Sequence, residues 1–389
     1  MNSKEVWPYF SKKEAALVSD TILSNKVNYL FGSQGKKFEE MFSNFSDCKY
    51  SLAVANGTLA LDLSLRALRL EPGDEVIVSS RSFIASASSI SLLGGTPVWA
   101  DVDINTQNID PADISKKITN KTRGIICVHF SGMPCDMTKI MKIAKDHKLW
   151  VLEDCAQAHG AKINNKSVGS FGDIAAWSFC NDKIMSLGGE GGMITTNNSK
   201  LYKFISSFNN HGKNLKKYFS NKTYKSFPYL HEFIGSNYRL TEMQSSIGIY
   251  QLSKMAKWNY LRKRNAETII GMVDDLEIVN TPLAKKSHQH AWYKLYITLN
   301  LDKIKSNIKR FDIISILNQK GVSCSFGGCG EIYNEPAYNN IKTKTKTTLA
   351  NAHHLQNTSL MFQVHPTISK KSIIKNAKII RSVLIDASK

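Results

Sequence analysis

The chain has 389 residues, 42% of them hydrophobic, which is enough apolar material for one large core or two unequal domains. It contains no run of about 18 uncharged apolar residues, and Met1-Asn2-Ser3-Lys4-Glu5 lacks the apolar stretch of a signal peptide, so neither a membrane span nor export is expected. The balance of 51 Lys+Arg against 32 Asp+Glu admits a nucleic acid, a membrane surface or an anionic small substrate as partner. The basic residues are spread out, however. The densest run, 342–346, reads as a solvated loop, and no zinc-finger or RNP-type signature occurs, so nucleic acid is not the expected partner. Cys48, Cys127, Cys135, Cys155, Cys180, Cys324 and Cys329 are odd in number and hold no Cys-x-x-Cys pair. That argues against a disulfide framework or a structural zinc site and for a reduced, cytoplasmic protein.

In chain order, 12–24 reads as a surface helix. Gly32 and Gly35 bracket a turn, and 36–45 carries Phe38, Met41, Phe42 and Phe45 at helical spacing. A strand at 50–54 runs into Asn56-Gly57-Thr58 and then a helix at 59–65. Strand, Asn-Gly-Thr and helix together suit an anion, because free N–H groups and the positive end of the helix dipole face it. The same residues also read as an ordinary N-cap at Asn56. A strand at 75–78 leads through Ser79 to Phe83 into a Ser- and Ala-rich helix. Phe83 follows a strand end, where its ring can stack on a flat ligand or fill the core. Strands at 97–103 and 123–129 and a helix at 137–147 follow.

The strand at 149–154 ends on Glu153 and Asp154, with Gln157 and His159 just beyond. Ligands of open α/β sheets bind at the carboxyl ends of the strands, which places Asp154 well. The apolar run 174–177 then reads as a buried strand that delivers Ser178-Phe179-Cys180-Asn181-Asp182-Lys183 into the same edge. Lys183 is the candidate to hold a cofactor aldehyde as an imine. Gly188-Gly189-Glu190-Gly191-Gly192 forms a tight loop, and 193–196 is a return strand. Strand–helix alternation over 50–196 implies an α/β fold with a mainly parallel, doubly wound sheet. A helix at 199–210, an irregular segment at 213–236 and a long amphipathic helix at 240–273 complete a large domain, 1–260. The segment 213–236 is a candidate substrate loop. The remainder, 261–389, reads as a smaller α+β domain with a strand at 292–299 and a helix at 311–320.

These pieces resemble a known family. Asn56-Gly57-Thr58, the run from Glu153 to Gly160, Ser178-Phe179 with Lys183, Gly189-Glu190-Gly191-Gly192 and Asn237 to Gln244 fall in the order and approximate spacing of the DegT/DnrJ/EryC1/StrS sugar aminotransferases. Val128 to Met137 is similar to the family's segment before the aspartate. The resemblance covers nearly the whole chain. It implies the fold-type I architecture of enzymes that use pyridoxal 5'-phosphate, and a homodimer with shared active sites.

By that resemblance Lys183 forms the Schiff base and Asp154 pairs with the pyridinium nitrogen. Gln157 reaches the ring hydroxyl, Phe83 takes the stacking position, and Gly57, Thr58 and Ser178 hold the phosphate. Asn237 reaches the neighbouring subunit's phosphate. Family members that dehydrate sugars carry histidine at the lysine position, so Lys183 favours amination over a dehydratase or a non-catalytic relative. The implied partners are a nucleotide-sugar and glutamate, with no metal required. Lys213 and Arg239 are candidates for the diphosphate. His211 and His290 are candidates for substrate contact, although a structural role suits each. Cys180-Asn181-Asp182-Lys183-Ile184-Met185 and Ser359 to Pro366 look like the transaminases that make dTDP-4-amino-4,6-dideoxyglucose for O-antigens. Amination at C3, or of UDP- or GDP-linked sugars, is the alternative. The residue chemistry agrees: a lysine in a dry pocket is suited to imine formation and then to proton transfer, and an ionised Asp154 keeps a ring nitrogen protonated.

Overall fold

The computed structural model describes residues 5–220, 229–282, 284–339 and 348–389. The basic run at 342–346 lies outside these residues. The first nine strands are β1 (Tyr50–Val54), β2 (Glu75–Ser79), β3 (Thr96–Ala100), β4 (Thr122–Val128), β5 (Trp150–Asp154), β6 (Lys162–Ile163), β7 (Lys166–Ser167), β8 (Ile174–Ser178) and β9 (Gly192–Thr196). Seven of them make the main sheet, in the order β1-β9-β8-β5-β4-β2-β3. The pairings among β2, β3, β4, β5 and β8 are all parallel, and β9 runs antiparallel to both β1 and β8. This is the mainly parallel sheet that strand–helix alternation implies. Every residue of β2, β8 and β9 is buried, as expected of a sheet covered on both faces.

The sheet reads clearly in the sequence because each strand is a short apolar run closed by a polar turn. The helices start where capping residues allow it. The Asn56 side chain accepts the N–H of Leu59 at 2.9 Å and starts the helix Gly57–Ala67. Thr241 and Gln244 form a reciprocal capping box at Glu242–Leu252.

The long helix expected at 240–273 is two helices, Glu242–Leu252 and Met255–Val273. The break falls at Ser253, whose hydroxyl donates to the Tyr250 carbonyl at 2.7 Å and competes with the helical ladder. The next residue is pulled toward the N-terminal helix: Lys254 Nζ lies 3.1 Å from the buried Glu14 carboxylate and 4.0 Å from the Tyr250 ring centroid. Amphipathic periodicity runs straight through this point, so the pattern hid the break.

A second sheet is built from β10 (Val279–Asn280), β12 (Leu295–Leu299), β13 (Cys324–Ser325) and β14 (Ser359–Phe362), in the order β10-β12-β14-β13. Between them β11 (His288–Gln289) reaches back to pair with β6. The apolar cluster around this sheet draws on residues from Ala266 to Ala387, whereas the clusters against the main sheet draw mostly on earlier residues. All seven cysteines are unpaired. Among the described residues no helix is long and apolar enough to cross a membrane.

One buried acid has a consequence for stability. Glu39, on the helix Gln34–Phe45, accepts the Ala53 N–H and the Tyr29 hydroxyl, each at 2.8 Å. Burial raises its carboxyl to about 7, against the hydrogen bonds and Lys36, which pull it down. Its folded pKa therefore exceeds its unfolded one. The folded state holds the extra proton, and stability falls as pH rises from about 4.5 to 7. Glu39→Gln is expected to remove this loss. Thermal melts at pH 8 should show the variant more stable by on the order of 2–3 kcal/mol, with the gain vanishing near pH 4.

Candidate active site

Residues far apart in the chain meet at the carboxyl edge of the main sheet. β1 ends before Asn56-Gly57-Thr58, β5 ends on Asp154, β8 ends on Ser178 before Lys183, and β2 ends before Phe83. In the register of the sheet Asp154 sits beside Val128 on one side and Ala176 on the other.

The Asp154 carboxylate is 5% exposed and held from two sides. Its Oδ2 accepts the Ser86 hydroxyl at 2.7 Å, and its Oδ1 accepts the Ala156 N–H at 3.1 Å. Each oxygen keeps a lone pair for a further donor. Its neighbour Glu153 points to the opposite face, as strand alternation requires. Glu153 accepts N–H groups from Gly169, Phe171 and Gly172 at 2.7–2.8 Å and contacts His129 Nε2 at 3.0 Å. Burial would raise the Glu153 carboxyl, but His129 and these backbone donors outweigh it and hold it below its ordinary range. His129 Nδ1 accepts the Cys135 N–H at 3.0 Å, so the ring proton sits on Nε2 and donates to Glu153. This buried pair ties β4, β5 and the 169–172 turn together behind Asp154. His129, Glu153 and Cys155 also bring ligand-type atoms within 4.8 Å of one another, but both nitrogens of His129 are already engaged.

The turn after β1 forms a cradle. A Cβ added to Gly57 would lie 2.6 Å from Ser178 Cβ and 3.0 Å from Ser178 Oγ; one on Gly192 would lie 2.3 Å from the Asn56 carbonyl oxygen. Two glycines thus let three chain segments close on the N-terminus of the helix Gly57–Ala67. Of the first N–H groups of that helix, Asn56 takes that of Leu59, and those left outside the ladder suit an anion.

Lys183 is half-buried in the turn that follows β8. Its N–H donates to the Cys180 carbonyl at 3.1 Å, and its own carbonyl accepts the Trp7 indole N–H at 2.7 Å. Its Nζ lies 4.9 Å from the centroid of the Tyr293 ring. The glycine loop beyond it takes left-handed backbone at Gly188 and Gly189, with φ of +84° and +125°. Gln244 Nε2 clamps that loop by donating to the Glu190 carbonyl at 2.7 Å.

The remaining sequence candidates divide. Phe83 is 65% exposed, so it is a surface ring at the sheet edge and not a core filler. Gln157 Oε1 accepts the Ser131 N–H at 2.7 Å, which fixes its amide in the loop after β5. Thr58 and Asn237 are exposed. Arg239 is half-buried; it donates to Asn209 O at 3.4 Å and to Asn210 Oδ1 at 3.2 Å, turning back into its own subunit. Lys213 Nζ sits 4.5 Å from the Tyr218 ring centroid, and the exposed His211 accepts at its carbonyl from His231. His290 is buried and stacked on Trp292 at 3.9 Å. Its Nδ1 accepts the Trp292 N–H, and burial pushes its imidazole down to about 3, which marks a neutral ring built into the fold.

Four polar residues of the site escaped sequence reasoning: Ser86, Asp182, Tyr293 and Lys294. Asp182 accepts a hydrogen bond from the Tyr293 hydroxyl. Lys294, only 7% exposed, lies 3.7 Å from Asp182 and donates to Gln363 Oε1 at 2.9 Å. Burial lowers the Lys294 ammonium to about 8, with Asp182 pulling the other way. Burial would raise Asp182, but Lys183, Tyr293 and Lys294 together hold it below the usual carboxylate range. The one signal in the sequence was Lys294 itself, a cation inside an apolar strand.

The anion cradle, the acceptor Asp154 and the lysine at a dry strand end fit pyridoxal 5'-phosphate, which offers one dianion, one ring nitrogen and one aldehyde. The fold and the site define an aminotransferase whose cofactor is pyridoxal 5'-phosphate. Residues 8–381 match the model of the DegT/DnrJ/EryC1/StrS aminotransferase family, and the chain belongs to that family. It is 34% identical over 365 residues to the UDP-N-acetyl-3-dehydro-alpha-D-glucosamine 3-aminotransferase of Acidithiobacillus ferrooxidans, covering 92% of this chain and 90% of that one. It is 41% identical to the GDP-perosamine synthase of Escherichia coli O157:H7 over 251 residues, a stretch of 64% of this chain and 65% of that relative. Among solved structures, the aminotransferase from Psychrobacter cryohalolentis superposes with a TM-score of 0.96 at 43% identity, covering 98% of this chain and 99% of that one.

Proposed function

We propose that this aminotransferase moves the amino group of glutamate to C4 of dTDP-4-keto-6-deoxyglucose, giving dTDP-4-amino-4,6-dideoxyglucose for O-antigen or other surface polysaccharide in the cytoplasm. One observation carries the choice of sugar. The two segments that carry the resemblance to the dTDP-4-amino-4,6-dideoxyglucose transaminases, 180–185 and 359–366, meet in space: Asp182 of the first pairs with Lys294 and Gln363 of the second accepts a hydrogen bond from it, beside Lys183. Relatives of this chain carry GDP, UDP and dTDP in their names, so they do not choose among nucleotides, and the nucleotide is read from these segments.

In this reading Gly57, Thr58 and Ser178 hold the cofactor phosphate, Phe83 covers the ring, Gln157 meets the ring hydroxyl and Asp154 meets the ring nitrogen. The bound cofactor supplies an electron-accepting ring. Lys183 holds it covalently, and its released amine then carries a proton between the cofactor carbon and the substrate carbon. Lys213, Arg239, His211 and His290 remain the candidates for substrate contact. Residues 1–260 form the cofactor domain and 261–389 the smaller one, a division supported by the separate apolar cluster of the second sheet.

Incubation with pyridoxal 5'-phosphate, glutamate and dTDP-4-keto-6-deoxyglucose, with the product identified by NMR, tests the proposal. An equatorial 4-amine is expected. An axial amine, or product only from 3-keto, UDP- or GDP-linked sugars, overturns the sugar assignment.

The enzyme works as a homodimer with shared sites, Asn237 reaching the partner's phosphate. The exposure of Phe31, Tyr229 and Ile234 supports an apolar contact with a second copy. Shared sites predict subunit complementation. Lys183→Ala and Asn237→Ala proteins, each nearly inactive alone, are expected to regain about a quarter of wild-type activity when unfolded and refolded together, since random pairing makes half the dimers mixed, each with one intact site. Self-contained sites would give no recovery.

A further inference from the structure

Two lysines share one aromatic ring. Lys183 Nζ and Lys294 Nζ lie 4.9 Å and 4.8 Å from the Tyr293 centroid. One carboxylate, Asp182, feels the charge of both. Asp182 is fixed by the Tyr293 hydroxyl and lies 3.7 Å from Lys294, whereas among the described residues no carboxylate stands within ion-pair distance of Lys183. Lys294 is further fixed from the other side by Gln363 Oε1 at 2.9 Å. The next cation, Arg262, makes no ion pair with Asp182: its Nη1 donates to the Trp292 and Tyr293 carbonyls, and its guanidinium lies 4.8 Å from the Trp7 ring centroid. His365, the nearby imidazole, is pushed down to about 3 by burial and by Arg262 and Lys294, and is neutral.

A carboxylate next in sequence to a reactive amine is a hazard. A charge-assisted hydrogen bond to Lys183 would tie up the nitrogen that must attack an aldehyde. We propose that Lys294 is a positioning residue that occupies the Asp182 carboxylate, so that Asp182 anchors the Tyr293 ring against Lys183 without clasping its amine. The inference rests on the reading of Lys183 as the cofactor lysine. It deepens that reading by assigning a role to the buried cation that stands beside it.

The test uses the full-length protein without cofactor, so its outcome is independent of whether Lys183 carries pyridoxal 5'-phosphate. Acetic anhydride is applied briefly, and the labelling rate of Lys183 is read by peptide mass spectrometry. Lys294→Met is expected to slow labelling by about tenfold, because Asp182 turns to Lys183. Adding Asp182→Asn to that variant should restore the rate to within about threefold of wild type. Lys294→Arg, which keeps a cation for Asp182, should label at nearly the wild-type rate. Unchanged labelling in Lys294→Met overturns the proposal, as does a double variant no faster than the single one. If Lys294→Met does not fold, as judged by thermal melting, Asp182→Asn alone decides: labelling at or above the wild-type rate supports the proposal and slower labelling overturns it.

Discussion

Lys183→Ala is expected to lose amino transfer altogether, to at least about 10⁴-fold below wild type. Two contributions disappear together. The covalent hold on the cofactor goes, and so does the amine that shuttles the proton, itself worth roughly 10²–10⁴-fold. The protein should still fold. Lys183 is half-buried, and its backbone contacts to Cys180 and Trp7 do not involve the side chain. The variant is expected to melt near wild type and to take up pyridoxal 5'-phosphate without the visible band of covalent attachment. Exogenous methylamine should return part of the activity, because a small free amine can carry the proton where Lys183 did. A variant that turns over at more than about a hundredth of the wild-type rate would place the proton carrier elsewhere.

Asp154→Asn is expected to have the second-largest effect. The carboxylate is nearly enclosed, so removing its charge leaves a ring-nitrogen cation without a partner in a dry site. Breaking a buried pair in this way costs about 3–5 kcal/mol, or roughly 10²–10⁴-fold in turnover. Asparagine keeps the size; its carbonyl oxygen can accept the Ala156 N–H while its amide group donates to the Ser86 hydroxyl, so stability should change little. Ser86→Ala is a useful contrast. It removes one hydrogen bond to Asp154 and leaves the charge, and the expected cost is about 1 kcal/mol. Turnover and the absorbance of the bound cofactor, measured across pH for both variants, separate loss of the anion from loss of its orientation.

The features that the sequence made legible share a physical reason. Asp154 and Lys183 each follow a short apolar run, and a run that must be buried on both faces delivers its last residue to the sheet edge. The cradle was legible because Asn-Gly-Thr between strand and helix is a local signal, carried by capping and by a missing Cβ. The hidden features depend on tertiary meetings. Nothing near Asp182 in sequence points to Tyr293 or Lys294, which arrive on the two residues just before β12. Ser86 was one serine among several in a Ser- and Ala-rich helix, and only its hydrogen bond to Asp154 singles it out. The break at Ser253 was invisible for the opposite reason, since the amphipathic pattern is right on both sides of it. Arg239 looked like a free cation in the motif after the 213–236 loop, but its partners, Asn209 and Asn210, lie at the other end of that loop.

The most direct test of the account asks which lysine carries the cofactor. The purified enzyme would be loaded with pyridoxal 5'-phosphate, reduced with borohydride and digested, and the pyridoxyl-labelled peptide sequenced by mass spectrometry. The label is expected on Lys183 alone, at about one per chain. A label on Lys294, the other lysine at the Tyr293 ring, or on neither, would contradict it.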